Sequence, residues 1–375
     1  MAKKKYSKTQ YRLVGPAVGT TLINLLRIDF DHFLHWIPFV YWLKRPINYL
    51  VCLIYAPFNL FEVIKYGKRI RETQLNGDPV FIVGHWRSGT THLHNLLVQD
   101  PKLGFTTQMQ CLFPNSFLTN PLVKFFIKNF QPSTRPMDNM AIDLETPQEE
   151  EIATANTMLY SFYNAWAYPK SLMRDYKRYV LFEGLSERQK RKWQKGYMRV
   201  CKKATIYHQG RRLVLKNPAN TSRIPALLEL FPNAKFIHIY RHPVNVFYST
   251  RKLYATAMPN MAHQDLSQEE SDAAIMEIYD DMMHRFFEDR HLIPKENLFE
   301  VRYEDFEHDR MGILASMYNQ FNLPGWEDAS GKIQQYLDDL GTYQKNKFPF
   351  TYEECQLVRD KWGFAFDELQ YGPQP

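Results

Sequence analysis

The sequence predicts an α/β fold, a parallel sheet flanked by helices, with additional helices ahead of it at the N-terminus. Three observations predict it. Short apolar runs bounded by turn residues recur at 80–83, 212–216, 235–240 and 297–303 and read as buried strands. Helix-period segments separate them, and strands that alternate with helices of this length form a parallel sheet with crossover connections. At the first strand the chain passes through a polar turn holding Gly84 and Gly89 straight into the helix-spaced Leu93, Leu96 and Leu97.

The chain has 375 residues, 45% of them hydrophobic, enough for a large core. It divides into an N-terminal helical, aromatic-rich region, 1–75, and a main domain, 76–375. A net charge of +7 suits an anionic ligand or a membrane surface. The Lys and Arg residues are scattered, so no nucleic-acid partner is expected. Cys52, Cys111, Cys201 and Cys355 lie far apart with no C-x-x-C pair. Neither a zinc site nor a disulfide framework follows, and a reducing, cytoplasmic compartment is expected. No apolar segment follows the basic Lys3, Lys4 and Lys5 directly, which argues against a secretory signal.

Residues 22–28 are apolar apart from Asn24 and Arg27, and aromatics crowd 30–43. Residues 47–61 are uncharged, and Pro57 is expected to interrupt the run. That run is shorter than the roughly 20 residues of a spanning helix. Lys44 and Arg45 precede it, and Lys65, Lys68 and Arg69 follow. Two readings stand. Residues 20–66 make peripheral membrane contact as interfacial helices. Alternatively they cover the main domain and line an apolar substrate pocket, which the density of aromatics favours.

Asn76, Gly77, Asp78 and Pro79 form a turn into the first strand. The turn after that strand nearly matches the nucleotide-binding P-loop, G-x-x-x-x-G-K-[ST]. Gly84 and Gly89 are in place, Thr91 fills the hydroxyl position, and Thr90 stands where the lysine belongs. Converging backbone N–H groups and a helix N-terminus make an anion site suited to phosphate. Without the lysine, ATP hydrolysis is disfavoured. Arg87 supplies a fixed charge and a planar fork of donors instead.

Residues 105–140 read as loops and short helices over a binding cleft. Thr146 is a fair N-cap, Pro147 fits the first helical position, and Glu149, Glu150 and Glu151 suit a first turn. Any of these carboxylates is also a candidate general base. Lys216 ends the second strand and Arg241 the third, each followed by a helix, with Arg87 just past the first. Binding residues are expected beyond the carboxyl ends of parallel strands, so the three cations mark one anion-binding cleft. A long helix is expected over 267–290, and Thr351 caps a last helix reaching Trp362. Lys345 and Lys347 lie in a basic loop before it.

The run Arg87-Ser88-Gly89-Thr90-Thr91, paired with Arg241 and Ser249, resembles the sulfotransferases that use 3′-phosphoadenosine 5′-phosphosulfate (PAPS). Leu215-Lys216-Asn217-Pro218, Pro147-Gln148-Glu149-Glu150-Glu151 and Arg302-Tyr303-Glu304-Asp305 resemble its broad bacterial and carbohydrate-type branch. The resemblance covers about residues 76–372. It implies that Arg87, Ser88, Gly89, Thr90 and Thr91 grip the 5′-phosphosulfate and that Arg241 and Ser249 grip the 3′-phosphate. It implies that Lys216 contacts the transferring sulfuryl group, that Lys345 and Lys347 form a late loop over the 3′-phosphate, and that no metal is needed.

Three positions depart from the family pattern. Many members carry Lys at Arg87, and an arginine cannot give up a proton at neutral pH. His92 stands where many have an adenine-stacking Trp. Pro218 stands where small-molecule members have a catalytic His. The base must lie elsewhere, which points to Glu149, Glu150 or Glu151, with His85 as the other nearby candidate.

The resemblance implies sulfuryl transfer to an acceptor hydroxyl. The aromatic N-terminus favours a hydrophobic alcohol, a sterol or lipid, with a sugar hydroxyl as the alternative. From other classes, a P-loop kinase and a non-catalytic nucleotide- or membrane-binding protein remain.

Overall fold

The computed structural model describes residues 19–32, 45–119, 144–340 and 350–372. Among these the sheet has five parallel strands: β1 (Val80–Val83), β2 (Leu103–Gly104), β3 (Arg212–Lys216), β4 (Lys235–Tyr240) and β5 (Leu298–Arg302), in the order β2-β3-β1-β4-β5. Val80 of β1 stands between Val214 of β3 and Lys235 of β4. β2 escapes sequence reading because two residues carry no period; it pairs Leu103 with Arg212.

The central strand is an unbroken apolar run because helices cover both faces of the sheet. Val80 and Ile82 face α3 (Thr90–Leu97) and α12 (Arg310–Gln320). Phe81 and Val83 face α7 (Glu187–Tyr207) and α10 (Gln268–Asp289), where Trp193, Tyr197 and Phe286 are fully buried. Around them lie α4 (Gln108–Leu112), α5 (Glu150–Thr157), α6 (Leu172–Tyr179), α8 (Ile224–Leu230), α9 (Pro243–Ala257), α11 (Tyr303–His308), α13 (Trp326–Leu340) and α14 (Tyr352–Glu368). Thr351 caps α14 in a capping box with Glu354, and a non-helical Trp362 kinks it there.

Sequence reasoning starts the α5 helix too early. Thr146 sits in a bend, Pro147 bridges Thr107, and the Gln108 amide donates to the Thr146 carbonyl at 2.8 Å. Backbone pairing to that neighbouring segment outcompetes helix, so the helix opens at Glu150 with Glu149 as its cap residue.

Ahead of the sheet, α1 (Leu22–Asp31) and α2 (Arg45–Glu72) pack against the main domain through polar contacts. Asp31 pairs with Arg174 at 2.8 Å and His32 with Asp175 at 2.8 Å, while Asp29 of α1 joins the two helices through Arg45 of α2 at 2.6 Å. The buried Lys203 ammonium on α7 donates to Glu62 of α2, whose other oxygen accepts from the Leu118 amide at 2.8 Å. α2 runs unbroken through Pro57 for 28 residues, so the expected stop there is corrected. The expected burial of its apolar side chains is corrected too. Leu53, Ile54 and Ile64 are more than half exposed. The aromatic run at 33–43 and the expected loops at 120–140 lie outside the described residues.

Removing one partner of a buried pair strands the other charge. Lys203→Met is expected to lower unfolding free energy by about 3–5 kcal/mol, and adding Glu62→Leu to restore much of it. Urea unfolding of the single and double variants measures both.

Candidate active site

Three loops meet at the carboxyl end of the sheet, after β1, β3 and β4. The β1 loop is tied down at both glycines. Gly84 has φ 136°, and a side-chain carbon there would lie 2.2 Å from the Ile239 carbonyl oxygen of β4. Its amide donates to Thr221 Oγ1 at 2.8 Å. Gly89 has φ 100° and leaves room for the Tyr303 ring, which a Cβ would meet at 2.3 Å. Both positions need glycine. As the cap of α3, Gly89 offers no side chain to the first amides, so the helix start is open to an anion.

Between the glycines Arg87 adopts φ 72°, an uncommon conformation for a residue with a side chain. It aims the guanidinium at α9, where Nε donates to Ser249 Oγ at 2.9 Å. The residues expected to grip the two ends of PAPS are therefore joined directly. Arg241, just past β4, lies over the Tyr303 ring at 4.6 Å. Its Nε is buried and has no hydrogen-bond partner among the described residues. An open helix start, two glycine-only positions and an unpartnered guanidinium nitrogen fit a doubly anionic nucleotide.

At the end of β3, Lys216 is buried and pairs with Glu149 Oε1 at 2.5 Å. The Tyr163 hydroxyl donates to the other Glu149 oxygen and accepts from Trp86 Nε1 at 2.9 Å. Glu151 lies fully buried against Arg223 at 2.6 Å, with the Asn217 amide at 2.8 Å and the Ser161 hydroxyl at 2.7 Å. Glu150 is also fully buried, with Tyr197 at 2.6 Å and Asn220 at 2.8 Å on one oxygen.

The sulfotransferase family model matches residues 79–328. The chain belongs to the sulfotransferase family. It is 33% identical over 338 residues to the omega-hydroxy-beta-dihydromenaquinone-9 sulfotransferase Stf3 of Mycobacterium bovis, covering 89% of this chain and 86% of that one. Stf3 of Mycobacterium tuberculosis matches to the same degree. Sulfotransferase STF1 of M. tuberculosis shares the fold, with a TM-score of 0.67 at 16% identity over 94% of each chain. STF9 of Mycobacterium avium does so at 0.66 and 17% identity, over 93% of this chain and 96% of its own. The P-loop-like α/β fold and PAPS-dependent sulfotransferase class expected from the sequence hold, and the kinase and non-catalytic alternatives give way.

Within this sulfotransferase the acidic triplet divides. Glu150 and Glu151 turn inward and are consumed by buried partners, while Glu149 reaches Lys216 at the sheet end. His85 is fully buried, with Nδ1 donating to the Trp86 carbonyl at 2.8 Å. Burial pulls its pKa down to about 4, so it stands neutral behind the loop. Thr90 is buried, and Ser88 lies in the turn with its amide on the His85 carbonyl at 3.2 Å. Thr91, partly exposed, stands in the first turn of α3. His92 packs edge-on to Phe306 at 5.8 Å and accepts from Arg310 at 3.1 Å. Lys345 and Lys347 lie outside the described residues.

Sequence reasoning missed Tyr163, Thr221 and Arg223, which come from segments distant from the glycine turn and belong to no spacing motif. Trp86 lies inside that turn, but nothing local shows that its indole N–H fixes Tyr163. Tyr303, directly after β5, was within reach of the strand-end rule.

Burial raises the Glu150 carboxyl to about 7 from an ordinary 4.5. Between those values the native state keeps a proton that the unfolded chain has lost, so stability falls as pH rises through the window. Glu150→Gln keeps an acceptor for Tyr197 and Asn220 without titrating. Thermal melts are expected to show it level with wild type below pH 4.5 and more stable than wild type above about pH 7.

Proposed function

We propose that this sulfotransferase moves the sulfuryl group of PAPS onto the hydroxyl of a hydrophobic, lipid-like alcohol, with Glu149 as the base. Bound PAPS supplies an activated sulfuryl group, displaced in line with charge growing on the bridging and sulfuryl oxygens. Amides at the open start of α3, with Ser88, Thr90 and Thr91, would hold the 5′ end. Arg241 and Ser249 would hold the 3′-phosphate, with Arg87 standing between the two ends.

The observation that carries the chemistry is the Lys216–Glu149 pair at 2.5 Å. Each is the other's resting counter-ion. Opening the pair frees Glu149 Oε1 to accept a proton and leaves the Lys216 ammonium to face growing negative charge. Tyr163, fixed by Trp86, keeps the carboxylate turned to the sheet end. The acceptor class is drawn from the Stf3 relative, whose named substrate is a hydroxylated menaquinone. Three of the four cysteines are buried and all are unpaired, which supports a reducing, cytoplasmic setting.

Titration calorimetry with the spent donor, 3′-phosphoadenosine 5′-phosphate, is expected to give tight binding in wild type and weak binding of ATP. Arg241→Ala should weaken the spent donor by roughly 10- to 100-fold. Unchanged affinity in that variant would remove the 3′-phosphate assignment. Glu149→Gln should lower kcat by roughly 10²–10⁴ while leaving the spent donor's Kd alone. A variant that turns over long-chain alcohols at the wild-type rate would rule Glu149 out as base.

A further inference from the structure

α2 is inverted. A helix packed on a soluble domain buries its apolar stripe and exposes its polar face. Here the buried positions include Arg45, Asn48, Cys52 and Glu62. Leu50, Leu53, Ile54, Leu60, Phe61 and Ile64 are each more than half exposed. They recur at three- and four-residue steps and form one stripe along the helix. The neighbouring α1 repeats the pattern: Ile23, Leu26 and Phe30 are exposed at 64%, 50% and 83%. Their spacing also places them on one face. Two packed helices thus each turn an apolar face outward, nine side chains in all rather than singly scattered ones.

Charge identifies the occupant. Immediately past Ile64 the exposed residues become Lys65, Lys68, Arg69 and Arg71, and Arg27 is exposed among the apolar positions of α1. Most acids nearby are engaged: Asp29 with Arg45, Asp31 with Arg174 and Glu62 with Lys203, while the exposed Glu72 lies 4.0 Å from Lys68 and leaves Lys65, Arg69 and Arg71 as the excess of positive charge. A second copy of the chain would therefore set cations against an apolar face with few acids to meet them. A lipid leaflet offers both chemistries in the right order, acyl chains for the stripe and anionic phosphates for the basic end.

By length and composition the 28-residue helix is able to cross a bilayer. Its inner face is against that. Glu62 is wholly buried and tied to α7, so one side of the helix is fixed to the protein. The apolar stretch from 50 to 64 is also only about 22 Å long at 1.5 Å per residue, short of the ~30 Å hydrocarbon core.

We infer that the outward face of α1 and α2 is a monotopic docking surface, which seats the enzyme on an anionic lipid leaflet with α2 lying in the interfacial plane. The inference stands on this face alone and does not depend on the acceptor reading.

Co-sedimentation of the full chain with phosphatidylcholine vesicles, with and without phosphatidylglycerol, tests it. Wild type should bind the vesicles containing phosphatidylglycerol and lose affinity as salt rises. Leu53→Glu with Ile64→Glu should weaken binding roughly a hundredfold. Lys65→Glu with Lys68→Glu should remove the preference for phosphatidylglycerol. All four substitutions fall on exposed positions, and calorimetry with the spent donor confirms that the variants fold. Wild type left in the supernatant with both vesicle types would overturn the inference. So would apolar variants that bind like wild type. A wild-type dimer in sedimentation equilibrium that Leu53→Glu with Ile64→Glu dissociates would assign the face to a second copy instead.

Discussion

Glu151 and Arg223 carry opposite charges with no exposure to solvent, and an ion pair so placed is tolerable only if its remaining lone pairs and N–H groups are satisfied. They are. Asn217, Ser161 and the Phe162 amide complete the carboxylate, and the Tyr179 carbonyl takes the guanidinium. This cluster joins the start of α5, the loop after β3, the end of α6 and the start of α8. Its neighbours in the chain are the residues that matter for chemistry: Glu149 lies two positions before Glu151, and Lys216 directly precedes Asn217. A sheet end and a helix start from distant parts of the sequence are thereby locked in one register. Glu150 adds a second buried tie through Tyr197 and Asn220.

The donor side is built on a different constraint, close backbone approach. Gly84 against β4 and Gly89 against Tyr303 leave no room for side chains, so the loop can bend only one way. That bend puts Arg87 in a left-handed conformation and sends its side chain away from the loop to Ser249. The charge of the loop is thus delivered to α9, and the helix start is left to backbone amides.

Much of this was legible. The strands showed as bounded apolar runs, the glycine turn, Lys216 and Arg241 showed through the turn pattern and the strand ends, and Ser249 came only from the family resemblance. The three glutamates could be nominated but not separated. Their helix start shifted when residues 146–148 paired with 106–108, and burial by partners far along the chain then decided which faced inward. Periodicity also located the apolar residues of α2 without giving their direction. Inside versus outside was fixed by Arg45 pairing with Asp29 of α1 and by Glu62 reaching Lys203 and the Leu118 amide of the domain, and no local pattern encodes those partners.

The resting contact between Lys216 and Glu149 has a bearing on sequence of events. An alcohol that reaches the site first meets a base already held by an ammonium on one oxygen and a phenol on the other. Water meets the same masked base. In the proposed roles, the protein keeps its proton acceptor in custody until something else claims the lysine, which makes the order of arrival a property of the empty enzyme.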